Sequence, residues 1–482
     1  MKNKSCCSAY SLMCSLFMLL LSCSQEPKKL YFAIQYEDTS QYEPLSQILV
    51  DNTALFASLN LYPSHDQDEK PDIYLIVRRF WEYERTNDEE LVLAQTCFVP
   101  CADASSPRRK TTLADCLAGL ERIIPAAELA PPNIALRVDG LSLDDDGYPL
   151  VQTVTLSIRE NTVPEKAQAK KRKRIEWAAQ ALKTALEESI TVEKPAKIVW
   201  IAAAGDLMLE RGAQEILLKE GPAGIFGETA PLLLKADVAL LNLEGTVSSK
   251  GKKITKSYNF RFRPEVVPAL KDAGIDAVLC ANNHIFDYGY EAFIDTLSYL
   301  KGAGIGALGA GLNEQEATQA YVFSALPYPI QVFGLASFPR EQYWDGMSIA
   351  AGADKAGILY VGKDGAEKLH FAPDDTTLDI VLFHGGVEWS HEPSSATRSL
   401  CADLVEKGAD LIIGSHPHIV QRFEWVHNAP VFWSLGNFVF SGMDNSGGDK
   451  GLFVMLGFLG KRLFYLEQYP LILSGPRTSI AF

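Results

Sequence analysis

Ala409-Asp410-Leu411-Ile412-Ile413-Gly414-Ser415-His416-Pro417-His418 is a short apolar run that ends on small residues and then delivers two imidazoles. A run of this length, with no polar alternation, is the pattern of a strand buried on both faces in a layered α/β sheet. Lys197 to Ala204, Asp237 to Leu243, Ile275 to Cys280, Gln331 to Ala336, Leu378 to Phe383 and Pro430 to Leu435 share it. Between them, Glu265 to Ala273, Glu291 to Ala303 and Ser395 to Glu406 space apolar residues by three and four with glycine just beyond, which predicts helices. The reading from about residue 196 onward is therefore a βα-layered domain with a largely parallel sheet.

Residues able to bind a metal follow these runs. Gly205-Asp206 comes after the first, Glu244 after the second, Asn283-His284 after the third, His384 after Leu378 to Phe383, and His416 and His418 after the run quoted above. In an open α/β sheet, ligands gather outside the carboxyl ends of the strands, so residues distant in sequence are expected to converge there. A lone histidine ending a strand is more often a hydrogen-bonded structural residue than a ligand. Their shared position, four of the chain's 8 histidines, is what points to a site. Carboxylate oxygens and neutral imidazoles suit one or two divalent ions, with Mn, Fe or Zn expected, and the absence of a CxxC pair argues against a zinc–thiolate site. A carboxylate bridging two ions about 3.5–4 Å apart is the arrangement that activates water for attack at phosphorus or carbonyl carbon, and Glu244 is the candidate bridge.

The runs Gly205-Asp206-Leu207-Met208, Asn242-Leu243-Glu244-Gly245, Ala281-Asn282-Asn283-His284 through Asp287-Tyr288-Gly289, Gly414-Ser415-His416-Pro417-His418 and Trp433-Ser434-Leu435-Gly436-Asn437-Phe438 resemble, in order, the motif series of the CapA or PGA_cap family. The resemblance covers about half the chain. It implies an α/β fold, the calcineurin-like metallophosphatase four-layer αββα sandwich, and a link to synthesis or export of poly-γ-glutamate capsule. Carried over residue by residue, it implies that Asp206 ligates a first metal with His418, that Glu244 bridges, and that Asn283, His384 and His416 hold a second. His284 resembles the histidine that protonates the leaving group, so the expected catalytic set is His284, Asp206 and Glu244; a clamp on a neighbouring ligand is its other reading. Arg261 and Arg263 resemble the family's Phe-Arg stretch, with bidentate binding of carboxylate or phosphate set against a surface salt bridge. Glu388 is expected to orient a histidine or serve as a base, and Asn437 to brace its loop.

Three departures stand out. Met208 occupies the place where phosphatases of this fold carry the histidine of Asp-x-His, and a thioether is a poor ligand for a hard ion. Glu244 replaces their aspartate; both changes are also CapA-like. His384-Gly385-Gly386 replaces the family's His-Trp-Gly, which removes an aromatic wall.

The remainder of the chain sets the context. At 482 residues two domains are expected, and the net charge of −15 excludes nucleic acid as a general partner, because phosphate binding needs clustered cations. Lys2, Lys4 and the apolar stretch Tyr10 to Leu21 read as an export signal too short to span a membrane. Leu20-Leu21-Ser22-Cys23 resembles a lipobox, making Cys23 the lipidated residue and the location the cell envelope, membrane-anchored and facing the periplasm or exterior; a plain secretory signal is the alternative. Cys97, Cys101 and Cys116 offer one disulfide of open pairing, while Cys280 and Cys401 read as buried apolar residues. The expected divisions are 1–22 signal peptide, 23–160 a smaller α+β domain, 161–195 connecting helix and linker, 196–442 the metallophosphatase-like domain, and 443–482 strands that complete it. The function expected is a capsule-family protein whose site hydrolyses a phosphoester or an amide of an anionic polymer, alongside other capsule-assembly proteins. The alternative is a non-catalytic factor that binds the polymer in the same pocket.

Overall fold

The computed structural model describes residues 30–36, 61–63, 73–81, 91–105, 110–118, 120–145, 148, 150–160, 173, 175–181, 183–184, 197–339, 343–344, 347–362, 365–373, 376–443 and 447–481. Cys23 and the signal segment lie outside them. The chain divides into two compact units, residues 1–98 with 149–194, and residues 99–148 with 195–482. The first holds a mixed sheet in the order Leu61–Pro63, Leu30–Tyr36, Ile73–Trp81, Val151–Glu160, then the start of Leu91–Asp103. Its first two pairings are parallel and the next two antiparallel.

The second unit is an α/β sandwich. Its strands are β1 (Val199–Leu207), β2 (Val238–Leu243), β3 (Ala277–Leu279), β4 (Gly306–Leu308), β5 (Tyr321–Phe323), β6 (Ile330–Ser337), β7 (Leu378–Gly385), β8 (Leu411–Ser415), β9 (Phe423–Val426), β10 (Ala429–Phe432), β11 (Asn437–Val439), β12 (Lys450–Leu459), β13 (Arg462–Ser474) and β14 (Arg477–Ile480). One sheet runs β4-β3-β2-β1-β12-β13-β14, with β11 also on β1; the other runs β5-β6-β7-β8-β10-β9. β1 to β4 are mutually parallel, as are β6, β7, β8 and β10, while β5, β9 and the β12–β14 meander are antiparallel.

The unbroken apolar runs have a direct cause. Ile380 and Leu382 of β7 face the core shared with the first sheet, whereas Val381 and Phe383 face a smaller core closed by Leu400, Cys401 and Leu404 of helix Ser395–Lys407. Both faces are buried, so both parities are mostly apolar. That helix starts where the Ser394 hydroxyl accepts from the Thr397 N–H and stops at Gly408, whose φ of 124° a residue with a Cβ rarely adopts. On the other side, Leu217, Val266, Leu270, Phe293 and Leu300 carry helices onto the first sheet.

Two findings differ from the expectations. Residues 99–148 group with the second unit, not with the N-terminal residues, because Tyr465 Oη accepts from Leu143 N–H at 2.8 Å, Arg137 pairs with Glu467 at 2.7 Å, and Arg462 donates to the carbonyls of Ala127 and Leu129. Cys101 and Cys116 are buried free thiols, so neither forms the disulfide; Cys280 and Cys401 are buried as well. Among the described residues no helix is long and apolar enough to cross a membrane.

Candidate metal centre

The carboxyl ends of β1, β2, β3, β7 and β8 bring the site together. β1 runs through Asp206 instead of ending before it, because Gly205 lets another backbone approach: a Cβ there would lie 1.8 Å from the Gly436 carbonyl oxygen. The Asp206 N–H donates to that oxygen at 3.0 Å, and the registers set Asp206 opposite Asn242 on one side and Asn437 on the other. His384 lies within β7, opposite Ser415 of β8. His416 and His418 then turn inward with φ of 99° and 59°, two non-glycine residues in the left-handed region, each at a cost of about 1 kcal/mol or more.

Donor atoms of Asp206, Glu244 and His384, all fully buried, lie within 4.8 Å of one another. The Asn242 side-chain amide donates to Asp206 Oδ1 at 2.7 Å and to Glu244 Oε2 at 3.3 Å, fixing both carboxylates toward one point. Glu244 Oε1 is buried and accepts no hydrogen bond. Burial, then the neighbouring Asp206 carboxylate, holds Glu244 well above the ordinary carboxyl range. Burial, and next the neighbouring imidazole of His416, keeps His384 well below its ordinary value and so neutral. His384 Nε2 stands 3.0 Å from both Asn283 Oδ1 and His416 Nδ1. His418 closes the ring, with Nδ1 2.9 Å from Asn437 Oδ1 and 3.2 Å from Asp206 Oδ2, and Nε2 3.7 Å from Glu244 Oε1. Burial works against its charge, but Glu244 and Asp206 outweigh it and push His418 up to about 10. A buried carboxylate oxygen without a donor, a second carboxylate beside it and a neutral imidazole are what a divalent cation requires, so the residues fit one.

His284 is held between a carboxylate and an aromatic ring. Its Nδ1–H donates to Asp287 Oδ2 at 2.6 Å, Phe260 packs on its ring at 4.3 Å, and Nε2 points inward, 3.8 Å from Glu244 Oε1. Asp287 is itself fixed by the Phe260 N–H at 2.7 Å and by Lys256 at 3.3 Å, and Lys256 also donates to the Asn283 carbonyl at 2.7 Å. Asn242, Asp287 and Lys256 are absent from the expected site set. The spacing His284-x-x-Asp287 is the signal that could have found the second of them.

The structure thus gathers Asp206, Glu244, Asn283, His384, His416, His418 and His284 at one place. It does not bring Arg263 there: that side chain is half exposed and pairs with Glu215 at 3.4 Å. Arg261 lies over the Tyr288 ring at 4.1 Å, its N–H bound by Glu210, and Glu388 is exposed on the loop after β7. Met208 is buried, its sulfur accepting from the Glu210 N–H. Asn437 braces its loop through the Gly448 carbonyl as well as meeting His418. At Gly385 a Cβ would lie 2.2 Å from the Ser337 carbonyl oxygen, so no side chain fits. The aromatic wall comes instead from Trp389, φ 66°, whose ring stands 5.5 Å from that of His418.

An αββα sandwich with carboxylates, an amide and imidazoles at the strand ends defines the metallophosphatase-like class. The family model described as "Bacterial capsule synthesis protein PGA_cap" matches residues 200–442, half of the chain, and the chain belongs to that family. It is 30% identical over 249 residues to the capsule biosynthesis protein CapA of Bacillus anthracis, covering 49% of this chain and 58% of that protein. It is 27% identical over 240 residues to the PGA biosynthesis protein CapA of Bacillus subtilis, covering 49% of this chain and 62% of that one. A probable polyglutamine synthesis accessory protein of Mycobacterium tuberculosis is 25% identical over 287 residues, covering 50% and 74%. The chain thus spans about three fifths of the length of the two Bacillus proteins.

Proposed function

We propose that this chain acts in making an anionic capsule polymer of the poly-glutamate type, as a metal-dependent hydrolase that cleaves a phosphoester or an amide at the Asp206–Glu244–His384 centre. The observation that carries this reading is the buried, unbonded Oε1 of Glu244 within reach of a second carboxylate and a neutral imidazole. Asp206, Glu244, Asn283, His384, His416 and His418 would hold one or two divalent ions, of Mn, Fe or Zn type. Such an ion, when bound, supplies neutralisation of the charge developing on a substrate oxygen and acidification of water. The chain's own residues do the rest. Asn242 keeps the two carboxylates aligned, Asp287 holds the His284 proton on Nδ1 so that Nε2 faces the reacting group, and Trp389 and Phe440 wall the imidazole of His418.

Metal analysis of the purified protein, paired with turnover of an aryl phosphate and of γ-glutamyl oligomers, tests it. About one or two ions per chain are expected. Asp206→Asn should lose both ion and turnover; His284→Ala should keep the ion and lower kcat by about 10²–10⁴-fold. Protein that carries neither ion nor turnover with these ligands intact would sink the reading. A second reading, polymer binding without chemistry, is favoured by Met208 standing where a nitrogen ligand is expected, and it predicts binding with no turnover.

We further propose, on the reading of Lys2 to Cys23 as a lipoprotein signal, a site on the outer side of a membrane. Labelled palmitate should enter the wild type and not Cys23→Ala. An unlabelled wild type would remove the anchor.

A further inference from the structure

Arg211 lies at the rim of the centre, on the loop that follows β1. It is exposed, and its φ of 53° puts a non-glycine residue in the left-handed region, followed by Gly212 at 95°. This backbone is held by what the side chain does. One guanidinium nitrogen, Nη1, donates to the Ser441 carbonyl at 2.6 Å, and the guanidinium carbon sits 5.5 Å from the Phe260 ring and 5.9 Å from the Tyr258 ring. Gly442 makes room for it, since a Cβ there would lie 2.6 Å from Nη1. Phe260 is the ring that packs on His284 at 4.3 Å, and it meets Phe440 edge-on at 5.6 Å, which in turn touches His418 at 4.9 Å. Arg211 therefore stands one aromatic layer from the two imidazoles that border the reacting region. Among the described residues no carboxylate pairs with it, in contrast to Arg263, Arg398, Arg422 and Arg477. An exposed guanidinium set against aromatic rings, with one nitrogen tied to a carbonyl, is pre-organised for a planar anion.

We propose that Arg211 is the carboxylate receptor of this site, holding an acidic side group of the substrate while the scissile bond lies over the centre. The proposal rests on the reading of the pocket as one for an anionic polymer. It makes Arg211 a positioning and specificity residue, and it answers how a chain of net charge −15 captures an anion beside its own buried carboxylates.

The test is binding of a fluorescein-labelled γ-glutamate decamer to the full chain, followed by anisotropy, with competition by inorganic phosphate and by acetate as separate arms. Arg211→Gln should weaken decamer binding about tenfold or more, and Arg211→Lys should restore part of it, charge being kept and the fork lost. Arg211→Gly suits the left-handed backbone and guards against misfolding as the cause; it should weaken binding as Gln does. Arg477→Gln, which removes the same unit of charge from the pair with Glu220, should bind as wild type. Competition by acetate at lower concentration than phosphate is expected for a carboxylate receptor, and the reverse order would overturn that choice of anion. Wild-type affinity in both Gln and Gly variants would overturn the proposal while leaving the polymer reading intact. No decamer binding by the wild type would remove both.

Discussion

Asp287 shows how one residue sets the chemistry of another. Its Oδ2 takes the Nδ1–H of His284, and its other partners, the Phe260 N–H and Lys256, prevent the carboxylate from turning away. Asp287→Asn keeps the shape but offers an amide that can present N–H to Nδ1, which favours the wrong tautomer. We expect kcat to fall by about 10–100-fold with metal content unchanged, read by turnover and metal analysis on the same preparation. A fall in metal content of the same size would make Asp287 a support of the ligands instead. At this scale the ligand candidates were legible because Asp206, Glu244, Asn283, His384, His416 and His418 interrupt or end apolar runs, where a polar residue stands out. Asn242 was not, because it sits inside the run Val238–Leu243 as one polar residue on a buried strand, and its function depends on the register that sets it beside Asp206. Arg211 was hidden for another reason: nothing in Glu210-Arg211-Gly212 announces a left-handed backbone or the rings that lie beneath the guanidinium.

At the scale of elements, β1 depends on a close approach that only glycine allows. Gly205→Ala would force a methyl group into the Gly436 carbonyl and part β1 from β11, displacing Asp206 and Asn437 together. Overpacking of backbone against backbone costs about 1–3 kcal/mol or more, so the thermal midpoint should drop and metal binding weaken in the same variant. A variant with wild-type midpoint and metal content would show that the strand can shift without consequence. Ser394→Ala, far from this junction, removes one cap and should cost about 1 kcal/mol with no effect on metal. The strands β1, β2, β3, β6, β7, β8 and β10 and the helices Val266–Asp272, Gly289–Gly302 and Ser395–Lys407 were readable within a few residues, since burial on both faces leaves an apolar texture, whereas the short strands β4, β5, β9 and β11 left none. Strand ends were less so. β1 extends to Leu207 and β8 to Ser415 because hydrogen bonds from distant strands continue past the apolar residues, and such partners leave no local trace. The attachment of residues 99–148 to the second unit escaped for the same reason, resting on single polar contacts such as Leu143 with Tyr465.

For the molecule as a whole, the proposed metal centre sets buried charge against stability, a conflict that a bound cation would offset. Two carboxylates lie fully buried side by side, offset by the Asn242 amide, the His416 N–H and His418, and Glu244 Oε1 has no hydrogen-bond donor. An acid whose folded-state pKa is raised destabilises the fold once pH exceeds its ordinary value of 4.5, and the penalty is relieved as pH falls back toward that value. Metal-free protein should therefore be less stable at pH 8 than the burial of its apolar strands would suggest. Glu244→Gln removes the charge while keeping the shape, so the chelated variant should melt at a higher temperature than the chelated wild type. With metal present the order should reverse. A ligand held only by the folded state adds about 2.7 kcal/mol at a hundredfold excess over its Kd, an increment the wild type gains and the variant largely loses. Thermal unfolding of both proteins with chelator and with added Mn or Zn measures the four values directly. Parallel behaviour of the two proteins under both conditions would mean that Glu244 neither strains the empty centre nor binds the ion, and the bridging role proposed for it would have to be given up.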